Sequence, residues 1–294
     1  MSGGARQGRA AGPPCARAQE PADFLARLER LHETLARRLS QGDGNRSADG
    51  RGRGSDFAGF RPYRSGEDVR QLDFALLARL GKPFVRILRP DARESWLILL
   101  DGSASMAVGP PGKWQSAVEL GLAAAHLLLR RGAAVEVRYS AGALVSRRLG
   151  RPSDWAGLRA QLWQTEAAGA EVLSSLLSGV RLNGRHVLAI GDLFRESLDP
   201  WLQAARQAAQ VTLVRILSEV ERDPPQGAVA WHASESEGAP RLTEGQGARQ
   251  VYLERLAAEE RQWREGCARV GADLLLHSAG QPFEQVLQAG RGGF

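Results

Sequence analysis

Residues 96–106, Trp96-Leu-Ile-Leu-Leu-Asp101-Gly-Ser-Ala-Ser-Met106, decide how the chain folds. The apolar run does not alternate with polar residues, so both faces of the strand it forms must be covered, as in a parallel sheet between helices. The run stops at a carboxylate, and Asp101, Ser103 and Ser105 follow at alternate positions. In open α/β sheets, ligands bind beyond the C-terminal ends of the strands. If the chain curls there, with Gly102 and Ala104 leaving room, the three oxygen side chains converge, and hard oxygen donors favour magnesium.

Working outward, residues 186–190, His186-Val-Leu-Ala-Ile190, form a second apolar run that ends in Gly191-Asp192. If the two strands are neighbours, Asp192 brings a second carboxylate to the same rim. Magnesium keeps several waters, so such a site would leave a coordination position open for a partner's acidic side chain. A plainer reading stays open, in which Asp101 caps a turn and the two serines bond to the backbone. Further strands are expected at 134–139, 211–217 and 273–277, with 144–148 as an antiparallel edge. Helices are expected at 113–131, 173–180, 198–209 and 252–270. The expected fold is therefore α/β, with a mostly parallel sheet between two helix layers, over residues 95–290.

Residues 1–20 are rich in Gly, Pro and Ala without hydrophobic periodicity and are expected to be a disordered leader. From 22 to 39, Phe24, Leu25, Leu28, Leu31, Leu35 and Leu39 recur at helical spacing and predict an amphipathic helix. A Gly-rich linker covers 41–54. Residues 56–93 interleave arginines and acids around aromatics, and with the helix and linker they form an N-terminal region, 21–94. Arginine pairs carboxylates bidentately, so bracing inside the protein and docking of a partner both suit this segment.

Residues 1–93 hold 18 basic and 11 acidic side chains, so the sequence's net charge of +6 is concentrated there. That asymmetry could steer an acidic partner or nucleic acid. Nucleic-acid binding through 56–93 is the weaker alternative, because the interleaved acids repel phosphates. Cys15 and Cys267 are the two cysteines, too few for a disulfide framework or a zinc cluster. With no signal peptide and no run long enough to span a bilayer, a cytoplasmic protein is expected.

Enzyme signatures are missing. A haloacid-dehalogenase-like phosphohydrolase would use Asp101 with magnesium and needs a second aspartate two residues later, where Ser103 stands. Neither serine sits in G-x-S-x-G, and His32, His126, His186, His232 and His277 lack metal-ligand spacing. There is no Walker-type phosphate loop, so any ATPase activity must belong to another chain. The expectation is a non-enzymatic protein.

Asp101, Ser103 and Ser105 resemble the D-x-S-x-S metal-ion-dependent adhesion motif of von Willebrand factor A domains, and Asp192 falls where that family has a later aspartate. Over residues 22–290 the chain resembles the bacterial domain-of-unknown-function 58 family. The hallmark of that family is similar to Phe57-Ala-Gly-Phe-Arg61-Pro-Tyr63-Arg-Ser-Gly66-Glu67-Asp68-Val-Arg70-Gln-Leu-Asp73-Phe74, followed by Ala78-Arg79 and Val85-Arg86. Phe74 stands where the family has tryptophan and Glu67 where it has aspartate. Residues 168–172, Ala-Gly-Ala-Glu-Val, resemble its G-G-T-D-L and put Ala170 at the threonine that helps hold the metal, with Thr165 and Glu171 nearby.

The resemblance implies a protein-interaction module with a magnesium site at Asp101, Ser103, Ser105 and Asp192. It also implies a MoxR-type AAA+ ATPase as partner in chaperone-like assembly or maturation of complexes. Arg61, Tyr63, Arg70, Asp73, Arg79 and Arg86 are the candidate partner contacts.

Overall fold

The structure is a computed structural model that describes residues 17–42, 57–63, 73–88, 93–109, 112–224, 229–231, 241–243 and 246–289. Its contacts divide the chain into two units, Met1–Leu35 with Glu94–Phe294, and Ala36–Arg93. Helix α1 (Phe24–Gly42) begins in the first and runs into the second.

In the smaller unit, β1 (Phe57–Pro62) pairs antiparallel with β2 (Phe84–Leu88), and α2 (Phe74–Leu80) lies between them in sequence. Asp73 starts α2 by accepting the N–H of Leu76 at 2.9 Å, satisfying a donor that the first turn leaves free. Gly81 ends it at a φ of 63°, a left-handed conformation that costs glycine little. The sequence reading assigned no elements here.

The larger unit is built on a six-stranded sheet. Its strands are β3 (Ser95–Leu100), β4 (Ala134–Ser140), β5 (Leu144–Leu149), β6 (Arg185–Gly191), β7 (Gln210–Leu217) and β10 (Asp273–Ser278). A separate two-stranded sheet joins β8 (Val229–Trp231) to β9 (Arg241–Thr243). The order in the main sheet is β10-β7-β6-β3-β4-β5, parallel throughout except for β5 at one edge. The order reverses at β3, so β3 is the switch point, with β4 on one side and β6 on the other.

Both faces are covered, as the unalternating apolar runs require. Trp96, Ile98 and Leu100 face one layer with Val137 and Ile190, under α3 (Lys113–Arg130), α4 (Trp155–Gln164), α8 (Phe283–Ala289) and the start of α1. Leu97 and Leu99 face the other with Val187 and Leu213, under α5 (Asp199–Gln207) and α7 (Gln246–Val270). Each such fully buried leucine or isoleucine contributes roughly 1.5–3 kcal/mol of burial free energy. The short α6 (Glu219–Arg222) follows β7 and is fixed by a capping box between Ser218 and Glu221.

Some expectations change. The helix expected at 173–180 is a 3-10 turn, Leu173–Leu177. The Ser175 hydroxyl bonds back to the Val172 carbonyl at 2.7 Å, which competes with helix propagation, and Gly179 takes a φ of 69°. The leader is expected to be disordered through residue 20, yet Arg17 bridges to Glu166 and Ala18 is buried in the core. Residues 1–16 of that leader, and nearly all of the 41–54 linker, lie outside the described residues. Among the described residues, no helix is long and apolar enough to cross a membrane.

Candidate functional site at the end of β3 and β6

Parallel pairing of β3 with β6 sets Leu100 opposite Ile190. The Asp101 N–H continues that ladder, donating to the Ile190 carbonyl at 2.9 Å, so the chain leaves both strands at one rim. Asp101 and Asp192 emerge there, both buried, at 5% and 3% exposure. Burial pushes the Asp101 carboxyl up to about 7, the neighbouring Asp192 adds to the rise, and hydrogen bonds from Ser103 oppose it.

The loop after β3 curls as its composition suggests. Asp101 Oδ1 accepts the Ser103 N–H at 2.9 Å, and the hydroxyls of Ser103 and Ser105 lie 3.0 Å apart. The turn-capping reading therefore holds for the Asp101 carboxylate. It does not account for the serines, whose hydroxyls meet each other. A 3-10 turn, Ala104–Ala107, leads from here toward α3.

Residues 168–170 are laced to this loop through the backbone. The Ala168 N–H donates to the Gly102 carbonyl at 2.7 Å, and the Ala104 N–H to the Gly169 carbonyl at 3.0 Å. Ala170 follows directly on these bonded residues and has no oxygen to offer from its side chain. Thr165 does not replace it, because its hydroxyl is committed to the Gln161 carbonyl at 2.9 Å. Glu171 is exposed.

Asp192 is held differently. Its Oδ2 accepts Lys113 Nζ at 2.8 Å, and its Oδ1 accepts the Phe194 N–H at 3.1 Å. Lys113 is fully buried and reaches Glu221 Oε1 at 2.6 Å as well. Burial alone would lower its pKa, but Asp192 and Glu221 outweigh burial and raise it, so the ammonium stays charged. Arg215 is also fully buried and donates to the Asp192 carbonyl at 3.1 Å. Arg215 Nη2 lies 3.2 Å from a Glu259 oxygen, outside good hydrogen-bond geometry. The Phe194 ring has Lys113 Nζ at 5.3 Å and the Arg215 guanidinium at 5.0 Å. Between Asp192 and Phe194, Leu193 takes a φ of 60°, a strained backbone state of the kind that collects at functional sites.

Sequence reading missed Lys113, Arg215, Phe194 and Glu221. Two signals were available. Lys113 is one of two lysines in an arginine-rich chain and opens a helix, where the dipole disfavours a cation. Arg215 interrupts the apolar run of β7.

The donor set suits a hard divalent ion in part. Asp101 is a buried carboxylate that no ion pair engages among the described residues, and two hydroxyls lie beside it, which is oxygen chemistry of the right kind. Asp192 already carries an ammonium. Among the described residues, no group of three or more His, Cys, Asp or Glu side chains could hold a metal, so an ion here would depend on Ser103 and Ser105.

Of the candidate partner contacts, Asp73 is buried and caps α2. Arg79 is exposed in the last turn of α2, where its charge also complements the helix dipole. Arg61 is half-buried, with Nη1 3.4 Å from the Pro62 carbonyl, and the Tyr63 N–H bonds to Pro83 at 2.9 Å. Arg70 and the side chain of Arg86 lie outside the described residues.

A sheet of this order, with the Asp101 loop at the end of its central strand, defines an α/β domain whose mostly parallel sheet lies between two helix layers. The family model described as "Protein of unknown function DUF58" matches residues 59–263. The chain belongs to that family.

Three solved structures are similar in fold. BatB from Bacteroides thetaiotaomicron is 15% identical over 66% of this chain and 94% of that one, with a TM-score of 0.40. An aerotolerance-related membrane protein from Bacteroides fragilis is 15% identical over 67% and 96%, with a TM-score of 0.40. The SpRpn10 VWA domain is 9% identical over 68% and 96%, with a TM-score of 0.39. No curated protein matches the chain.

Proposed function

We propose that the protein is a non-enzymatic interaction module that docks an acidic segment of a partner at the rim formed by β3 and β6. One observation carries the reading: the paired strand ends deliver Asp101 beside Asp192, with the Ser103 and Ser105 hydroxyls turned toward each other. A buried carboxylate held near neutral pKa by burial and a second acid favours a cation or a proton. Asp101, Ser103 and Ser105 would hold a magnesium ion, with Asp192 next to them. Bound there, the ion would supply a Lewis-acidic position for a partner's carboxylate. The backbone bonds from Ala168 and Ala104 keep the loop curled before a partner arrives.

Family resemblance points to a MoxR-type AAA+ ATPase as that partner, in assembly or maturation of protein complexes in the cytoplasm. The test is capture of such an ATPase by the full chain in magnesium and in chelator, with wild type and Asp101→Asn. Capture in magnesium, lost in chelator and in Asp101→Asn, is the expected result. Aryl-phosphate hydrolysis abolished by Asp101→Asn would replace this reading with a phosphohydrolase.

A further inference from the structure

Lys113 is the rim's most unusual group. It is a fully buried ammonium at the first position of α3, against the helix dipole, and it bridges two carboxylates at 2.8 and 2.6 Å. One of those carboxylates is already engaged: Glu221 Oε2 closes a capping box with the Ser218 N–H and hydroxyl at 2.8 and 2.9 Å. The other, Asp192, has both oxygens and its carbonyl engaged, by Lys113, the Phe194 N–H and Arg215. Asp101 shares none of these contacts among the described residues, where its Oδ1 accepts from Ser103 of its own loop.

We infer that Lys113 is the resident counter-cation of the rim. It commits Asp192 to the protein and leaves Asp101, Ser103 and Ser105 as the groups offered to a divalent ion. The rim is then a one-carboxylate site whose affinity for a free ion is weak, and Lys113 sets that weakness. Neutralising Lys113 turns Asp192 into a second carboxylate ligand, because a buried acid stripped of its partner must find a cation or a proton. Affinity for divalent ions rises with the number of charged ligands.

This inference rests on the rim being a cation site, as proposed above, and its direction separates it from structural damage. A lysine that only held the fold together would weaken ion binding when lost, whereas a counter-cation strengthens it.

The experiment titrates the full chain with Mn²⁺ alone, read by electron paramagnetic resonance of the free ion, so that it needs no partner protein. Lys113→Gln is expected to bind Mn²⁺ at least tenfold tighter than wild type, and Lys113→Gln with Asp192→Asn to lose the gain.

Equal or weaker binding by Lys113→Gln overturns the inference, as does the absence of Mn²⁺ binding in wild type and all folded variants. If Lys113→Gln does not fold, Lys113→Met, which fills the same buried space without a charge, takes its place, with the same outcomes expected and the same outcomes overturning the inference. Failure of ATPase capture with the Mn²⁺ pattern intact would sink the docking role and leave the role of Lys113 standing.

Discussion

Gly191 lies against Asp101 so closely that a Cβ on Gly191 would stand 2.7 Å from the Asp101 Cβ and 2.9 Å from its Oδ2. The missing side chain is what lets the two strand ends carry their acids side by side. Gly191→Ala must displace Asp101 or push on Leu173, whose Cδ2 would be 3.1 Å away. Overpacking of this kind costs about 1–3 kcal/mol. Urea unfolding should show that loss, and ion binding at the rim should fall with it. A variant as stable as wild type, with unchanged ion binding, would contradict the close approach.

Two buried groups pull the pH dependence of stability in opposite directions. Asp101 has a folded pKa of about 7, above the unfolded value of about 3.9, so between these the folded state keeps a proton that the unfolded state has released. Stability from this group is complete below pH ~3.9 and is lost as pH rises through ~7. Burial lowers His277 to about 4, below its unfolded value of about 6.5, so its contribution is lost as pH falls through that window. Between pH ~4 and ~6.5 the two slopes largely cancel in the wild type.

Asp101→Asn should therefore gain stability relative to wild type as pH rises, reaching about 1–3 kcal/mol at pH ~8 and little at pH ~4. His277→Leu should gain relative to wild type as pH falls. Urea midpoints across this range check both, and flat difference curves would refute the assignments.

Attachment of α1 rests more on apolar packing than on charge. Phe24 is fully buried, with ring centres 5.6 Å from Trp163 and 5.4 Å from Phe283. Arg27 grips both Glu284 oxygens at 2.8 and 2.7 Å but stays partly exposed. Phe24→Ala should cost about 3–5 kcal/mol, and Arg27→Ala roughly 1 kcal/mol or less. Chemical denaturation gives both values, and limited proteolysis should cleave α1 faster in the first variant. The reverse order would mean that the ion pair holds the helix.

The sheet was legible because its central strands are continuous apolar runs, and a run buried on both faces has no other soluble home. Asp101 and Asp192 were legible because each ends such a run. The β1–β2 pair was not, since Phe-Ala-Gly-Phe-Arg-Pro neither alternates nor avoids Gly and Pro. The counter-charge at Asp192 was illegible for another reason: Lys113 lies 79 residues away and meets Asp192 only through the packing of α3 on the sheet. Spacing rules see ligands that share a loop, as Asp101, Ser103 and Ser105 do. They do not see a partner delivered by tertiary structure.

Ala170 gives the last prediction. It is exposed, so a threonine there meets no packing cost, and the bonds from residues 168 and 169 hold it beside the Asp101 loop. Ala170→Thr adds one neutral oxygen to a rim that otherwise offers one free carboxylate and two hydroxyls. A further ligand in a preformed loop should tighten Mn²⁺ binding by about tenfold, equivalent to ~1.4 kcal/mol. Ala170→Val, with the same shape and no hydroxyl, is the control, and Mn²⁺ titration of both decides the point. Equal affinities would place residue 170 out of reach of the ion and confine any cation to Asp101 and the two serines.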